Sequence, residues 1–119
     1  MRVCIPTTGI KGLDEEVSDH FGRAPTFTIV DIETGEVKVV ENRSEHMGGF
    51  GKPPEHLASE NVQAMLCSGM GPRAIDMFAQ YGIRVFMGAR GTVRDTLALW
   101  KSGSMVSASD EVACKEHRH

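Results

Sequence analysis

A histidine, an aromatic residue, a glycine and an arginine occupy four consecutive positions near the start of the chain, His20-Phe-Gly-Arg23. They end a polar segment, residues 14–25, that separates two apolar runs. A connection of this length without regular structure is uncommon in a compact domain and is usually functional. The composition indicates recognition chemistry rather than a linker. We interpret the three carboxylates that precede the histidine, at positions 14, 15 and 16, as a solvated rim.

A second candidate site is the segment Cys67-Ser-Gly-Met-Gly-Pro-Arg73, which leads from a predicted buried strand directly into a predicted helix. Cys67 and Arg73 have the Cys-x5-Arg spacing of cysteine-dependent phosphatases, in which a thiolate attacks phosphorus while backbone amides hold the phosphate. Alternatively, Cys67 and Met70 are soft ligands, and the amides at the helix start stabilise an anionic metal cluster. A buried cysteine that only packs is the simplest alternative to both.

The end of the chain carries one more thiol and two imidazoles within six residues, Cys114, His117 and His119. Thiolate and imidazole are the ligands that zinc, copper and iron prefer. No second cysteine pair in the sequence completes a structural zinc site, so this group is either a minor metal site or an ordinary frayed terminus. The glycine-rich segment 42–52 is likewise either a loop that contacts a ligand or a simple connector.

The hydrophobic pattern predicts the elements that position these residues. Residues 1–6 form a predicted strand with Val3 and Ile5 on one face and Cys4 on the other. A hairpin follows, and then three helices alternate with two strands. The predicted ranges are strands at 26–32, 36–40, 62–66 and 83–87, and helices at 53–59, 72–81 and 92–103. Ile75, Phe78 and Ala79 form the predicted apolar stripe of the second helix, and Thr92 with Asp95 predicts a capping box at the third.

Helical crossovers between strands imply parallel pairing, so the order of elements predicts an α/β fold with a five-stranded mixed sheet. The hairpin supplies the antiparallel strand, and three helices flank the sheet. We expect the first and fourth strands to be neighbours, with their carboxyl ends at the edge where open α/β sheets bind ligands. His20 and the Cys67 turn would then lie together.

Length and composition limit the classes of function. The chain has 119 residues, a net charge of -3 and no block of lysine or arginine. We predict one domain, residues 1–103, with a flexible tail over 104–119. Nucleic acid and membrane partners are not expected. Three widely spaced cysteines and the absence of a signal-peptide pattern in the sequence predict a cytoplasmic protein.

Three stretches together resemble the dinitrogenase iron-molybdenum cofactor biosynthesis family of NifX, NafY and NifB C-terminal-domain type proteins. They are the run Val17–Asp31 with its His-Phe-Gly-Arg signature, the Gly-Phe-Gly segment near 48–51 and the turn Cys67–Ile75. The resemblance covers residues 1 to about 103. It implies a three-layer ribonuclease-H-like fold and a non-enzymatic protein that binds or carries an iron-sulfur cluster or an iron-molybdenum cofactor precursor. It also implies that His20 is a cluster ligand.

We therefore expect the protein to be a metallocluster carrier, and the isolated protein can lack the cluster. The expected cofactor-binding residues are His20, Gly22, Arg23, Cys67, Ser68, Gly69, Met70 and Gly71, and the expected metal ligands are His20, Cys67, Cys114, His117 and His119. Expected partners are metallocluster assembly or acceptor proteins, and the expected state is a monomer or weak homodimer. A phosphatase, or a metal-free regulatory or partner-binding module, remains the alternative.

Overall fold

The computed structural model describes residues 1–42 and 53–108. Within them the strands are β1 (Arg2–Thr7), β2 (Thr26–Asp31), β3 (Val37–Glu41), β4 (Val62–Cys67), β5 (Arg84–Met87) and β6 (Val106–Ser107). The helices are α1 (Pro53–Ser59), α2 (Pro72–Gln80) and α3 (Val93–Lys101). The long connection between β1 and β2 contains two short 3-10 turns, Gly12–Asp14 and Phe21–Arg23, and is therefore more ordered than its sequence predicts.

The strands form one mixed sheet in the order β3-β2-β1-β4-β5-β6. β1 runs parallel to β4 and β4 parallel to β5, which confirms that the first and fourth strands are neighbours. β2 is antiparallel to β3, as the hairpin pattern predicts, and it is also antiparallel to β1. The parallel strands therefore share one carboxyl edge.

The prediction of five strands is wrong, because the described part of the chain forms six. β6 pairs antiparallel with β5 at the edge of the sheet. It has two residues, which is too short for an alternating pattern to be visible in the sequence. The predicted tail thus begins with a strand, and Ala108 after it is fully buried. Residues 109–119 lie outside the described part of the chain.

The two faces of the sheet carry separate hydrophobic clusters. Val3 and Ile5 of β1 pack with Val93 and Leu97 of α3. Cys4 faces the opposite way and belongs to a cluster with Leu57 of α1 and Phe78 of α2. This confirms the predicted faces of β1 and gives three layers, with α1 and α2 on one side and α3 on the other.

The ends of the helices also follow the sequence. Thr92 Oγ1 accepts a hydrogen bond from the Asp95 amide and Asp95 Oδ2 accepts one from the Thr92 amide, each at 3.1 Å, which confirms the capping box. Gly82, just beyond α2, has a φ of +75°. Ala79, however, is exposed, so α2 buries a narrower stripe than its sequence predicts. Within the described residues, none of the helices is long and apolar enough to span a bilayer.

Candidate functional site

The carboxyl ends of β1, β4 and β5 form the edge at which the candidate residues lie. The connections that leave this edge are residues 8–25, 68–71 and 88–92. Ser68 Oγ donates to the Ala89 carbonyl at 2.9 Å, and the Ala89 amide donates to the Cys67 carbonyl at 3.0 Å. These two hydrogen bonds join the turn after β4 to the turn after β5 and hold the two turns together at the carboxyl edge of the sheet.

Glu15 anchors the long connection that carries His20. Its carboxylate accepts hydrogen bonds from the Glu16 amide at 2.9 Å and from the Lys11 amide and Thr8 Oγ1 at 3.1 Å each. The side chain is only 7% exposed. The bonds from the Glu16 and Lys11 amides hold the pKa of Glu15 below its ordinary value. The prediction of a solvated rim is therefore wrong for Glu15, although its two acidic neighbours are exposed.

The backbone of the same segment is bonded to β1 and to the start of α3. The Ser18 amide donates to the Pro6 carbonyl at 2.8 Å, and the Val17 amide donates to the Gly91 carbonyl at 2.9 Å. The Val93 amide donates to the Glu15 carbonyl, also at 2.9 Å. Satisfied backbone groups of this kind keep a long connection in one conformation. His20 therefore follows a rigid segment.

His20 itself is exposed and stands at the start of the 3-10 turn Phe21–Arg23. Ser18 Oγ accepts from the His20 amide at 3.3 Å and donates to the His20 carbonyl at 3.2 Å. The Phe21 ring lies 6.0 Å from the ring of Phe27 and 5.3 Å from the ring of Phe78, measured between centroids. Phe21 thus fixes the turn on the α1/α2 side of the sheet while His20 remains open to solvent.

Three of the predicted binding residues are glycines that the fold does not require. Gly22, Gly69 and Gly71 are exposed, and none has a positive φ. A Cβ atom added at any of them would meet no heavy atom of the described residues within 4 Å. By contrast, a Cβ at Gly9 would clash with Oε1 of Glu15. Within residues 1–42 and 53–108, neither conformation nor packing explains the three glycines, and the backbone they leave is open to a ligand.

Cys67 lies inside the core and is 1% exposed. Burial raises the pKa of its thiol to about 12. Burial, with the nearby Cys67 thiol, also raises the pKa of Cys4 well above its ordinary value. A thiol that stays protonated at neutral pH is a poor nucleophile, since the thiolate is the reactive form. The geometry therefore argues against the Cys67–Arg73 phosphatase.

The structure brings some of the predicted residues together and leaves others apart. Met70 is half-buried and packs on the same hydrophobic cluster as Phe21, the residue that follows His20 in the chain. Arg23 is exposed at the end of the same 3-10 turn as Phe21. In the described ranges, no group of three or more histidine, cysteine, aspartate or glutamate side chains is placed to hold a metal ion. The predicted ligands Cys114, His117 and His119 and most of segment 42–52 lie outside the described residues.

The sequence analysis missed a buried hydroxyl cluster below the His20 segment. Thr7 Oγ1 lies 2.7 Å from Thr26 Oγ1 and 2.9 Å from Thr28 Oγ1. Thr26 Oγ1 is also 2.6 Å from the Gly9 carbonyl, to which it donates. Threonine hydroxyls that bond across strands support the pairing of those strands. The alternation of Thr26 and Thr28 along a predicted strand is visible in the sequence. The pairing of that strand with β1, which brings Thr7 to them, is not.

Comparison with known proteins identifies the family. The family model for dinitrogenase iron-molybdenum cofactor proteins matches residues 1–103. An uncharacterised protein of Methanocaldococcus jannaschii is 31% identical over 110 residues, 88% of this chain and 89% of that one.

Two solved structures share the fold. The NMR structure of a Thermotoga protein described as a candidate NifB protein is 35% identical and superposes with a TM-score of 0.74, covering 89% of this chain and 91% of that one. The apo form of the orange protein of Desulfovibrio gigas is 29% identical, with a TM-score of 0.80 and coverages of 90% and 92%. With a family model that spans most of its length, the chain belongs to the dinitrogenase iron-molybdenum cofactor family.

Proposed function

We propose that this protein binds and carries an anionic iron-sulfur cluster of the iron-molybdenum cofactor precursor type, and that it catalyses no reaction of its own. Membership of the family supports a role in the biosynthesis of this cofactor. The observation that carries the proposal is His20, an exposed imidazole on a connection held rigidly at the carboxyl edge of the sheet. Imidazole is an established ligand of iron-sulfur clusters.

The glycines support a bulky cargo beside His20. Glycine costs conformational entropy when a chain folds, and at Gly22, Gly69 and Gly71 no contact or positive φ in the described part of the chain offsets that cost. A cluster several ångströms wide needs backbone without side chains on the surface that it covers. Glycines on both the His20 turn and the turn after β4 provide such a surface.

Positive charge at the same edge suits an anionic cargo. Arg23 is exposed at the end of the 3-10 turn. The N-cap residue of α2 is Gly71, which has no side chain to accept from the first amides of the helix. Uncapped amides and the positive end of the helix dipole attract negative charge. Arg23 and the amides of residues 68–71 would therefore neutralise part of the charge that His20 ligation leaves.

The remaining candidates have lesser roles in this proposal. Met70 would supply apolar contact at the rim, and Cys67 would ligate the cluster only after its thiol moved out of the core. Cys114, His117 and His119 would supply further ligands near the end of the chain. We also propose that the fold is ribonuclease-H-like, that the protein is cytoplasmic and that it delivers its cargo to assembly or acceptor proteins.

Anaerobic reconstitution tests the proposal. The wild-type protein is incubated with iron and sulfide, desalted and measured for bound metal and for visible absorbance. We expect uptake by the wild type and loss of most of it in His20→Ala. His56→Ala is the matched control, because His56 is also exposed but lies on α1. Equal uptake by His20→Ala and the wild type would contradict the ligand role, and a wild type that takes up no metal would contradict the carrier role.

A further inference from the structure

Sulfur atoms are concentrated on the α1/α2 side of the sheet. Five sulfur-containing residues belong to the hydrophobic cluster of that side, namely Cys4, Met65, Cys67, Met70 and Met87. Cys4 and Met65 are fully buried, while Met70 and Met87 are half-buried at the carboxyl edge. Cys67, the last residue of β4, is therefore the buried sulfur-containing residue that lies at the carboxyl edge.

The register of the sheet places Cys67 beside Met87. The two residues are partners in the parallel pairing of β4 with β5, so their side chains leave the same face of the sheet. Neighbouring strands are about 4.8 Å apart, which brings paired side chains within reach of one ion. Met70 follows Cys67 by three residues and packs on the same cluster. Cys67 Sγ donates a hydrogen bond to the Phe86 carbonyl at 3.7 Å, and a thiol is a weak donor, so losing this bond on metal binding costs little.

We propose that Cys67, Met87 and Met70 bind a soft monovalent cation with a filled d shell, for which Cu(I) is the natural candidate. Thiolate and thioether ligands select such ions over harder ones. The site shares Met70 and Cys67 with the edge that we assign to the cluster, but it does not include the His20 imidazole, and the proposal does not depend on the cluster-carrying function. Cys4 lies deeper, paired with Met65, and is not a ligand in this proposal.

The charge balance of binding explains the preference for a monovalent ion. Binding replaces the S–H bond of Cys67 with an S–Cu bond and releases one proton to water, with no change in oxidation state. The product, a thiolate bound to Cu(I) with two neutral thioethers, has no net charge. A divalent ion at the same place would leave one positive charge in an apolar environment, which is costly without a partner. No group of three or more carboxylate, histidine or cysteine ligands is available for it among the described residues.

Access to the site does not require the core to open. Cys67 is the last residue of β4, and the two thioethers that flank it are both partly exposed. A methionine side chain has three rotatable bonds and a polarisable sulfur, so it moves aside and returns at low cost. An ion would thus reach the thiol through the methionine pair at the edge.

Competition with a Cu(I)-specific chelator under anaerobic conditions tests this site. The full chain is used with the substitution Cys114→Ser, so that Cys4 and Cys67 are the thiols that remain. We expect one equivalent of Cu(I) per chain, confirmed by native mass spectrometry. Met87→Leu, which conserves volume, should weaken binding by roughly tenfold, and Cys67→Ser by roughly 100-fold or more. Zn(II) should not compete.

Three matched variants separate this site from its alternatives. Met77→Leu changes a half-buried methionine of α2 that is not among the five sulfur-containing residues of the α1/α2 hydrophobic cluster, and it should leave the affinity for Cu(I) unchanged. Cys4→Ala should also retain binding. His20→Ala should retain Cu(I) even though it loses the iron-sulfur cluster, so failure of one proposal is distinguishable from failure of the other. Unchanged affinity in both Met87→Leu and Cys67→Ser, or displacement of Cu(I) by Zn(II), would overturn the proposal.

Discussion

Replacing Phe21 with alanine should separate the stability of the fold from the position of His20. Phe21 is half-buried and its ring contacts those of Phe27 and Phe78. Truncation of a fully buried phenylalanine costs about 3–5 kcal/mol, so a half-buried ring should cost about 2 kcal/mol. For a domain of this size that corresponds to a fall in Tm of about 8 °C. The protein should still fold, because the sheet and the two hydrophobic clusters on its faces remain.

The functional effect should exceed what that loss of stability explains. Without the ring, the turn Phe21–Arg23 loses its contact with α2, and the hydrogen bond from the Arg23 amide to the His20 carbonyl, at 3.1 Å, loses its support. Hydrogen exchange at the Arg23 amide should therefore accelerate more than exchange in the core strands. Cluster uptake in the reconstitution assay should fall although the His20 side chain is intact.

Phe86→Ala provides the matched control for this experiment. Phe86 is also half-buried and makes an aromatic contact, with Trp100 at 5.9 Å, but on the α3 side of the sheet. It should lower the Tm by a similar amount and leave cluster uptake unchanged. Our account of how the turn is held would be refuted if Phe21→Ala lost the same Tm as Phe86→Ala and took up as much cluster as the wild type.

The structure makes three further predictions. Gly22→Ala and Gly71→Ala should leave the Tm unchanged or slightly higher yet reduce cluster uptake, measured as above; a large fall in Tm would show that the fold needs these glycines. Because the folded-state pKa of Glu15 is lowered, its ionised form stabilises the fold at neutral pH, and this contribution should be lost as the pH falls through that lowered pKa. Glu15→Gln should lack this acid-dependent loss of stability, measured by urea unfolding at several pH values. Identical pH profiles for the wild type and Glu15→Gln would contradict the role of the carboxylate. In the Cys114→Ser variant, iodoacetamide at pH 7 should not label Cys67 until the protein is unfolded, because its pKa is about 12, and rapid labelling of the native protein would contradict its burial.

The architecture was largely predictable because each main element carries its own pattern. Alternation predicted the hairpin, and proline, glycine and the Thr92–Asp95 box predicted the ends of the helices. β6 was not predictable, since two residues have no period and their pairing depends on where the chain returns after α3.

The candidate site was predicted only in outline. Its location at the carboxyl edge followed from the order of strands, because parallel neighbours end at the same edge. The environment of each side chain did not follow. Glu15 looks like a solvated acid until Gly9 and the Lys11 amide are seen to face it. Cys67 looks like a free ligand until it is seen to lie in the hydrophobic cluster that includes Ile75 and Phe78 of α2, because burial is a property of the assembled layers rather than of the local sequence.

The connection between β1 and β2 crosses the edge of the sheet from one layer to the other. Leu13 and Val17 pack on the α3 cluster, whereas Phe21 packs on the α1/α2 cluster. A cargo at His20 would therefore sit beside the α1/α2 cluster, across this crossing from Leu13 and Val17. In the carrier that we propose, the cargo would leave from this edge without any separation of the helices from the sheet.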